Sequence, residues 1–149
     1  MNPFDLKAAL LARHAQHVVL IHFPIALFIT SVAFDVMAFW NGSRALAAAA
    51  YYNLLAAAVS ALPAVATGLL AWELQLDGAR LRGNLRLHLV LALLSSAAIW
   101  LLWWLHFRAR RTQRLRAPAA LMAAELATVI LVALTGHIGG FLSGVNGPG

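Results

Sequence analysis

Five of the six histidines in this chain fall where its apolar segments meet one and the same end. His14, His17 and His22 open the first apolar segment, His88 opens the third, and His137 closes the fourth. Histidine is costly in hydrocarbon, so an ionisable side chain within a membrane segment marks a functional site by default. Imidazoles drawn from separate helices are the raw material of haem and metal sites. The expected ligand pool is His22, His88 and His137, with His17 next. The same three imidazoles, His22, His88 and His137, with Glu73 beside them, would suffice for a zinc or copper ion. Arg86, together with Arg80 and Arg82, lies at the same mouth and suits anionic groups such as haem propionates.

The spacing refines this picture. His14 and His17 are three apart and share a helical face. His17 and His22 are five apart, which on an unbroken helix turns them about 140° from each other. They serve one site if Pro24 interrupts the helix; alternatively Pro24 is the true first position of the span, and His22-Phe23 is the turn leading in. Around His137, Gly136, Gly139 and Gly140 remove side-chain bulk, which lets a flat macrocycle or a neighbouring helix come close. A single histidine at a membrane interface ordinarily snorkels or hydrogen-bonds, and His106, at the opposite end beside Trp103 and Trp104, is read as such an interface residue. Asp35, Asn53 and Glu125 form a second polar set. Carboxylates this deep must be neutral, paired or hydrated. The expectation is interhelical bonding, with Asn53 or a loop arginine as partner; the alternative is a proton path toward the opposite face. Glu73 is a candidate to orient a ligating histidine.

The elements that carry these residues are membrane helices. Hydrophobic residues make up 62% of the 149 and charged residues 11%, against about 25% charged in an ordinary soluble domain. The net charge of +6 rests on arginines in short loops between apolar runs, a pattern of membrane topology and not of a nucleic-acid-binding face. Cysteine is absent, which excludes a disulfide, a thiolate metal site and covalent haem attachment. Asp5 and Lys7 precede the first apolar run with no small-residue cleavage site after a short core, so no removable signal peptide is read. Four stretches reach the length of about 20 residues that spans hydrocarbon: residues 18–40, 45–72, 87–107 and 117–142. Their short connections force antiparallel neighbours. The expected fold is all-α: an integral membrane, up-down bundle of four transmembrane helices forming a single domain over residues 1–149. Asn2 to Gln16 either adds a short interfacial helix or lengthens the first span. Small residues of the second span, from Ala49 to Gly68, favour close helix approach, and Pro63 should bend that span by freeing the Val59 carbonyl. Trp40, Trp103 and Trp104 are expected to anchor one interface and Trp72 the other.

Six basic residues, Arg44, Arg108, Arg110, Arg111, Arg114 and Arg116, flank one end, against Lys7, Arg13, Arg80, Arg82 and Arg86 at the other. Basic residues favour the cytoplasm. The expected orientation places the loop from Arg108 to Arg116 inside and both termini, with the histidines, in the periplasm.

With these residues in view, the chain resembles a bacterial membrane family known as domain of unknown function number 2231. The resemblance rests on a histidine, four residues, then His-Phe-Pro-Ile-Ala-Leu, here His17 through Leu27. It extends through Thr67-Gly68 and Trp72-Glu73, then Arg86 and His88, and ends on Gly136-His137-Ile138-Gly139-Gly140. Some relatives are fused to cytochrome c modules and carry a further Thr-His-Gly after the double glycine. Here that stretch reads Leu142-Ser143-Gly144-Val145-Asn146, so the second histidine is missing. The resemblance implies a redox context.

The functional expectation is an inner-membrane protein, not itself an enzyme, that holds one haem b and transfers electrons. Its partners would be the lipid bilayer, subunits of a membrane complex, a periplasmic cytochrome, and a quinone as donor or acceptor; no nucleic acid is expected. Two rivals stand beside it: a structural or assembly subunit of a respiratory or photosynthetic complex without cofactor, and a zinc- or copper-binding membrane protein.

Overall fold

The corner between the first two helices is built from three residues, Asn41, Gly42 and Ser43. A computed structural model describes residues 13–75, 78, 80–111 and 119–143 of the chain. In it, α1 runs over Arg13–Asn41 and α2 over Arg44–Gln75. Gly42 donates its N–H to the Ala38 carbonyl (2.9 Å) with φ at 71°, the left-handed conformation in which only a residue without Cβ is unstrained. Ser43 then caps α2: its Oγ accepts from Leu46 N–H at 3.3 Å, and its own N–H donates to Asn41 Oδ1 at 2.9 Å. A corner this short lays α2 back along α1. The two remaining helices, α3 over Gly83–Arg111 and α4 over Ala119–Leu142, complete an up-down bundle. Each helix packs on its neighbours in the chain, and α4 closes the ring on α1; the α1–α2 contact is by far the most extensive of the four and the α1–α4 contact the least.

All four helices are long and apolar enough to cross a membrane, over Gln16–Asn41, Arg44–Leu74, Gly83–Arg111 and Ala119–Leu142. The first three extend beyond the expected ends by one to four residues on a side. The expected start of the fourth, Ala117, lies outside the described residues, as does most of the N-terminal segment from Asn2; its last residues, from Arg13, are the opening turn of α1. Pro24 neither breaks nor begins α1. It sits within the helix with its ring buried, so both alternatives for it are corrected, and His17 and His22 keep their helical separation. Pro63 lies inside a continuous α2.

The core is small-against-large. Phe28 and Leu54 are wholly buried beside Ala57 and Ala58, with Ile99, Leu102, Leu121 and Val132 from α3 and α4 completing the cluster. The alanines of α2 let α1 come close enough for Ser31 Oγ to donate to the Ala50 carbonyl at 2.8 Å, a bond worth making where no water competes. Across the other half, Ser95 and Thr135 hydroxyls meet at 3.0 Å and tie α3 to α4. The outer surface is apolar where a soluble bundle would be charged: Val19, Tyr52, Leu62, Leu101 and Ile130 all point outward.

Of the tryptophans expected as anchors, Trp40 is 79% exposed, and Trp104 carries the Arg108 guanidinium 4.9 Å above its ring. Trp103 is turned inward instead. It stacks on Phe107 and meets Trp100 edge-on, because the face of α3 that carries it also carries buried Leu102 and His106.

Phe28 fills the space that four helices leave between α1 and the alanines of α2. Phe28→Ala should cost about 3–5 kcal/mol, measured as a lower unfolding midpoint in detergent with helix content unchanged below the transition.

Candidate functional site

Three ionisable side chains meet deep in the bundle at the end that holds the Asn41–Arg44 corner. Asp35 on α1, His106 on α3 and Glu125 on α4 are 5%, 7% and 0% exposed. His106 Nε2–H donates to Glu125 Oε1 at 2.6 Å, and Asp35 Oδ2 lies 3.7 Å from the same nitrogen. One ligand atom from each of the three lies within 4.8 Å of both others, and among the described residues this is the one cluster of three or more such groups so gathered. Asp35 Oδ2 and Glu125 Oε2 are buried with no hydrogen-bond partner. Arg110, one turn beyond His106, does not enter the cluster; its guanidinium lies 4.3 Å above the Tyr51 ring.

The reading of His106 as an interface residue is therefore corrected. Asn53 is also not the partner of either carboxylate: its Nδ2 donates to the Ala49 carbonyl of its own helix at 2.8 Å. The signal that finds this cluster is depth. Asp35 stands six residues before the end of α1, His106 five before the end of α3, and Glu125 six after the start of α4. All three are thus about 8–9 Å in from the same end.

The histidines of the opposite end are arranged differently from a single gathered set. His17 and His88 stand 18 residues from Asp35 and His106 respectively, a whole number of turns (about five), so they share the inward faces of α1 and α3. His17 Nδ1 lies 3.2 Å from Thr67 Oγ1, whose hydroxyl proton goes to the Pro63 carbonyl at 2.8 Å. The hydroxyl oxygen accordingly accepts from the imidazole. His88 Nδ1–H donates to the Thr135 carbonyl at 3.1 Å. Each ring lies flat against a glycine of the neighbouring helix: a Cβ on Gly68 would come within 2.9 Å of His17, and one on Gly139 within 3.0 Å of His88. Gly68 and Gly139 are thus seats for imidazoles.

His22 and His137 face outward, on α1 and α4. His22 Nδ1–H donates to the Val18 carbonyl at 2.6 Å, which leaves the lone pair on Nε2, the nitrogen that commonly ligates. His137 packs edge-on against Phe141, ring centroids 5.0 Å apart. Their depths match. His22 is 13 residues from Asp35 and His137 is 12 from Glu125, so both stand about 18–20 Å above the buried cluster on adjacent antiparallel helices. Next to His137 on α4, Gly136 is exposed, and a Cβ there would meet nothing within 4 Å. Arg80, Arg82 and Arg86 are exposed at the same end, and the Glu73 carboxylate lies against the turn at Gly78. His14 lies in the opening turn of α1.

Residues 13–147 match the model of the family described as Predicted membrane protein (DUF2231), and the chain belongs to that family. No curated protein and no solved structure matches it.

Removing the imidazole of His106 leaves two carboxylates facing each other in a water-free interior. His106→Ala should cost about 3–5 kcal/mol, whereas His22→Ala, at an exposed position, should leave the unfolding midpoint within experimental scatter; thermal unfolding of both variants in one detergent checks the contrast.

Proposed function

We propose that this member of the family is an electron-transfer subunit of the bacterial inner membrane that holds one haem b at the seam between α1 and α4, with His22 and His137 as axial ligands. The observation that carries the reading is their matched depth on adjacent helices, beside a glycine with open space above it and along the least packed contact of the bundle. Two axial imidazoles are a standard ligation for a haem held without covalent attachment, and the chain has no cysteine for any other kind. The Val18 carbonyl holds His22 in the tautomer that presents Nε2. His88, gripped by Thr135 and seated on Gly139, sets the position of α4 at that level. Arg86 and its neighbours supply positive charge for the propionates at the same end. When bound, the haem would accept and return one electron; the protein sets how readily through the axial pair, burial and nearby charge.

The arginine-rich loop from Arg108 to Arg116 favours a cytoplasmic position for its end by the distribution of positive charge, which would put the haem near the periplasmic face, within reach of a soluble cytochrome or of a quinone in the outer leaflet. The bonds from His17 to Thr67 and from His88 to Thr135 favour a second reading, in which the histidines only hold helices together and the chain is an assembly subunit.

A reduced-minus-oxidised visible spectrum of protein purified in detergent after expression with added haem separates the two. Sharp b-type bands that disappear in His22→Ala and in His137→Ala, and persist in His88→Ala, are the expected result. A folded, colourless protein overturns the haem reading in favour of assembly.

A further inference from the structure

We infer that Asp35, His106 and Glu125 form a binding site for a single divalent transition-metal ion inside the bundle, separate from the histidines of the opposite end. Three helices contribute one residue each, so the site exists only once α1, α3 and α4 are packed. The three donor atoms lie within 4.8 Å of one another. Ligands sharing one ion stand about 2.0–2.2 Å from it, which allows two of them to be about 4.4 Å apart at most. In a tetrahedral arrangement such ligands stand about 3.3–3.6 Å apart, so the 2.6 Å His106–Glu125 pair opens and the wider separations close by about 1 Å on binding.

Charge supports the same conclusion. Two carboxylates in hydrocarbon are held neutral or are compensated by positive charge, and a neutral imidazole brings none. Arg110 is turned to Tyr51 and Tyr52, and Asn53 is engaged with its own helix. One divalent ion supplies the whole compensation and satisfies the two carboxylate oxygens, Asp35 Oδ2 and Glu125 Oε2, that are otherwise buried without partners. On binding, the neutral imidazole of His106 carries its proton on Nδ1, so that Nε2 exchanges its bond to Glu125 for a lone pair directed at the metal.

The donor set selects the class of ion. One imidazole nitrogen and two carboxylate oxygens suit zinc, manganese or ferrous iron; without thiolate or thioether donors the site has little to offer cuprous copper. Three protein ligands leave at least one coordination position open. Thr128, one turn along α4 from Glu125, donates to the Ala124 carbonyl and not to the cluster.

The test uses the full chain in detergent, stripped with chelator, incubated with Zn²⁺ and desalted. Wild type should retain about one zinc per chain by elemental analysis, as a buried structural site does, and its unfolding midpoint should rise on loading. Glu125→Gln and His106→Gln, which keep side-chain volume, should each lose retention at least tenfold and show no rise. The His22→Ala/His137→Ala double variant should retain zinc as wild type does. Retention that is lost in the double variant, or unchanged in Glu125→Gln and His106→Gln, overturns the site. Co²⁺ added to wild type gives a reading independent of any variant. Visible ligand-field bands displaced by Zn²⁺ support the site, and their absence overturns it, leaving protons as the compensating charge. Neither outcome depends on haem, so this inference and the haem reading fail separately.

Discussion

Hydrocarbon offers no hydrogen bonds, and most of what is distinctive in this protein follows from that single constraint. Every backbone amide has to find its partner inside its own helix, which leaves the side-chain hydroxyls and imidazoles to make whatever specific contacts are made between helices. Most of the hydroxyls are spent locally. Ser96, Thr128 and Thr135 each donate back to a carbonyl one turn earlier. The few polar groups that reach across are correspondingly informative: Ser31 to α2, Ser95 and Thr135 between α3 and α4, and the two inward histidines onto Thr67 and Thr135. Against this background, three ionisable groups buried together between α1, α3 and α4 are the costliest feature of the interior.

The same constraint explains why the bundle is uneven. Hydrophobic burial does not drive one apolar helix onto another in lipid, so closeness depends on small residues and short connections. Between α1 and α2 both are present: a corner of three residues, and alanines at 50, 57, 58, 61 and 64 buried along one face. Between α1 and α4 there is no direct connection. The chain has to travel through α2 and α3 before α4 returns beside α1, and that contact is the loosest in the ring. That looser contact joins the two helices whose outward faces carry His22 and His137 at equal depth.

Two kinds of polar chemistry thus occupy opposite ends of one helical ladder. On α1 and on α3 the distance from the inward histidine to the buried ionisable residue is 18 residues in both cases, or about 27 Å, close to the hydrocarbon thickness of about 30 Å. Between those ends the inward faces of these two helices carry no ionisable side chain, only the hydroxyls of Ser31 and Ser95 among Phe28, Ile99 and Leu102. A dry, packed interval of that kind keeps the two ends chemically independent while holding them at a fixed separation.

Helix number, helix ends and the up-down order were legible in the sequence, because apolar length and the short polar interruptions are properties of consecutive residues that lipid reads directly. Gly42 and Ser43 at the first corner belong to the same class, since capping is a matter of three or four neighbours. The histidines and carboxylates were visible as residues, but their partners were not. Whether His106 meets lipid headgroups or Glu125 depends on the rotation of α3 about its axis relative to α4, and apolar composition that runs around the whole circumference of a helix leaves that rotation unspecified. Pro24 is a related case, since its neighbours in the chain do not show that α1 runs on through it. What only the tertiary structure decided is which faces turn inward, and with that the sorting of five histidines into a seated pair, an outward pair and one member of a buried cluster. Membrane helices choose those faces by packing small residues and by satisfying buried polar groups, both of which are relations between residues far apart in the chain.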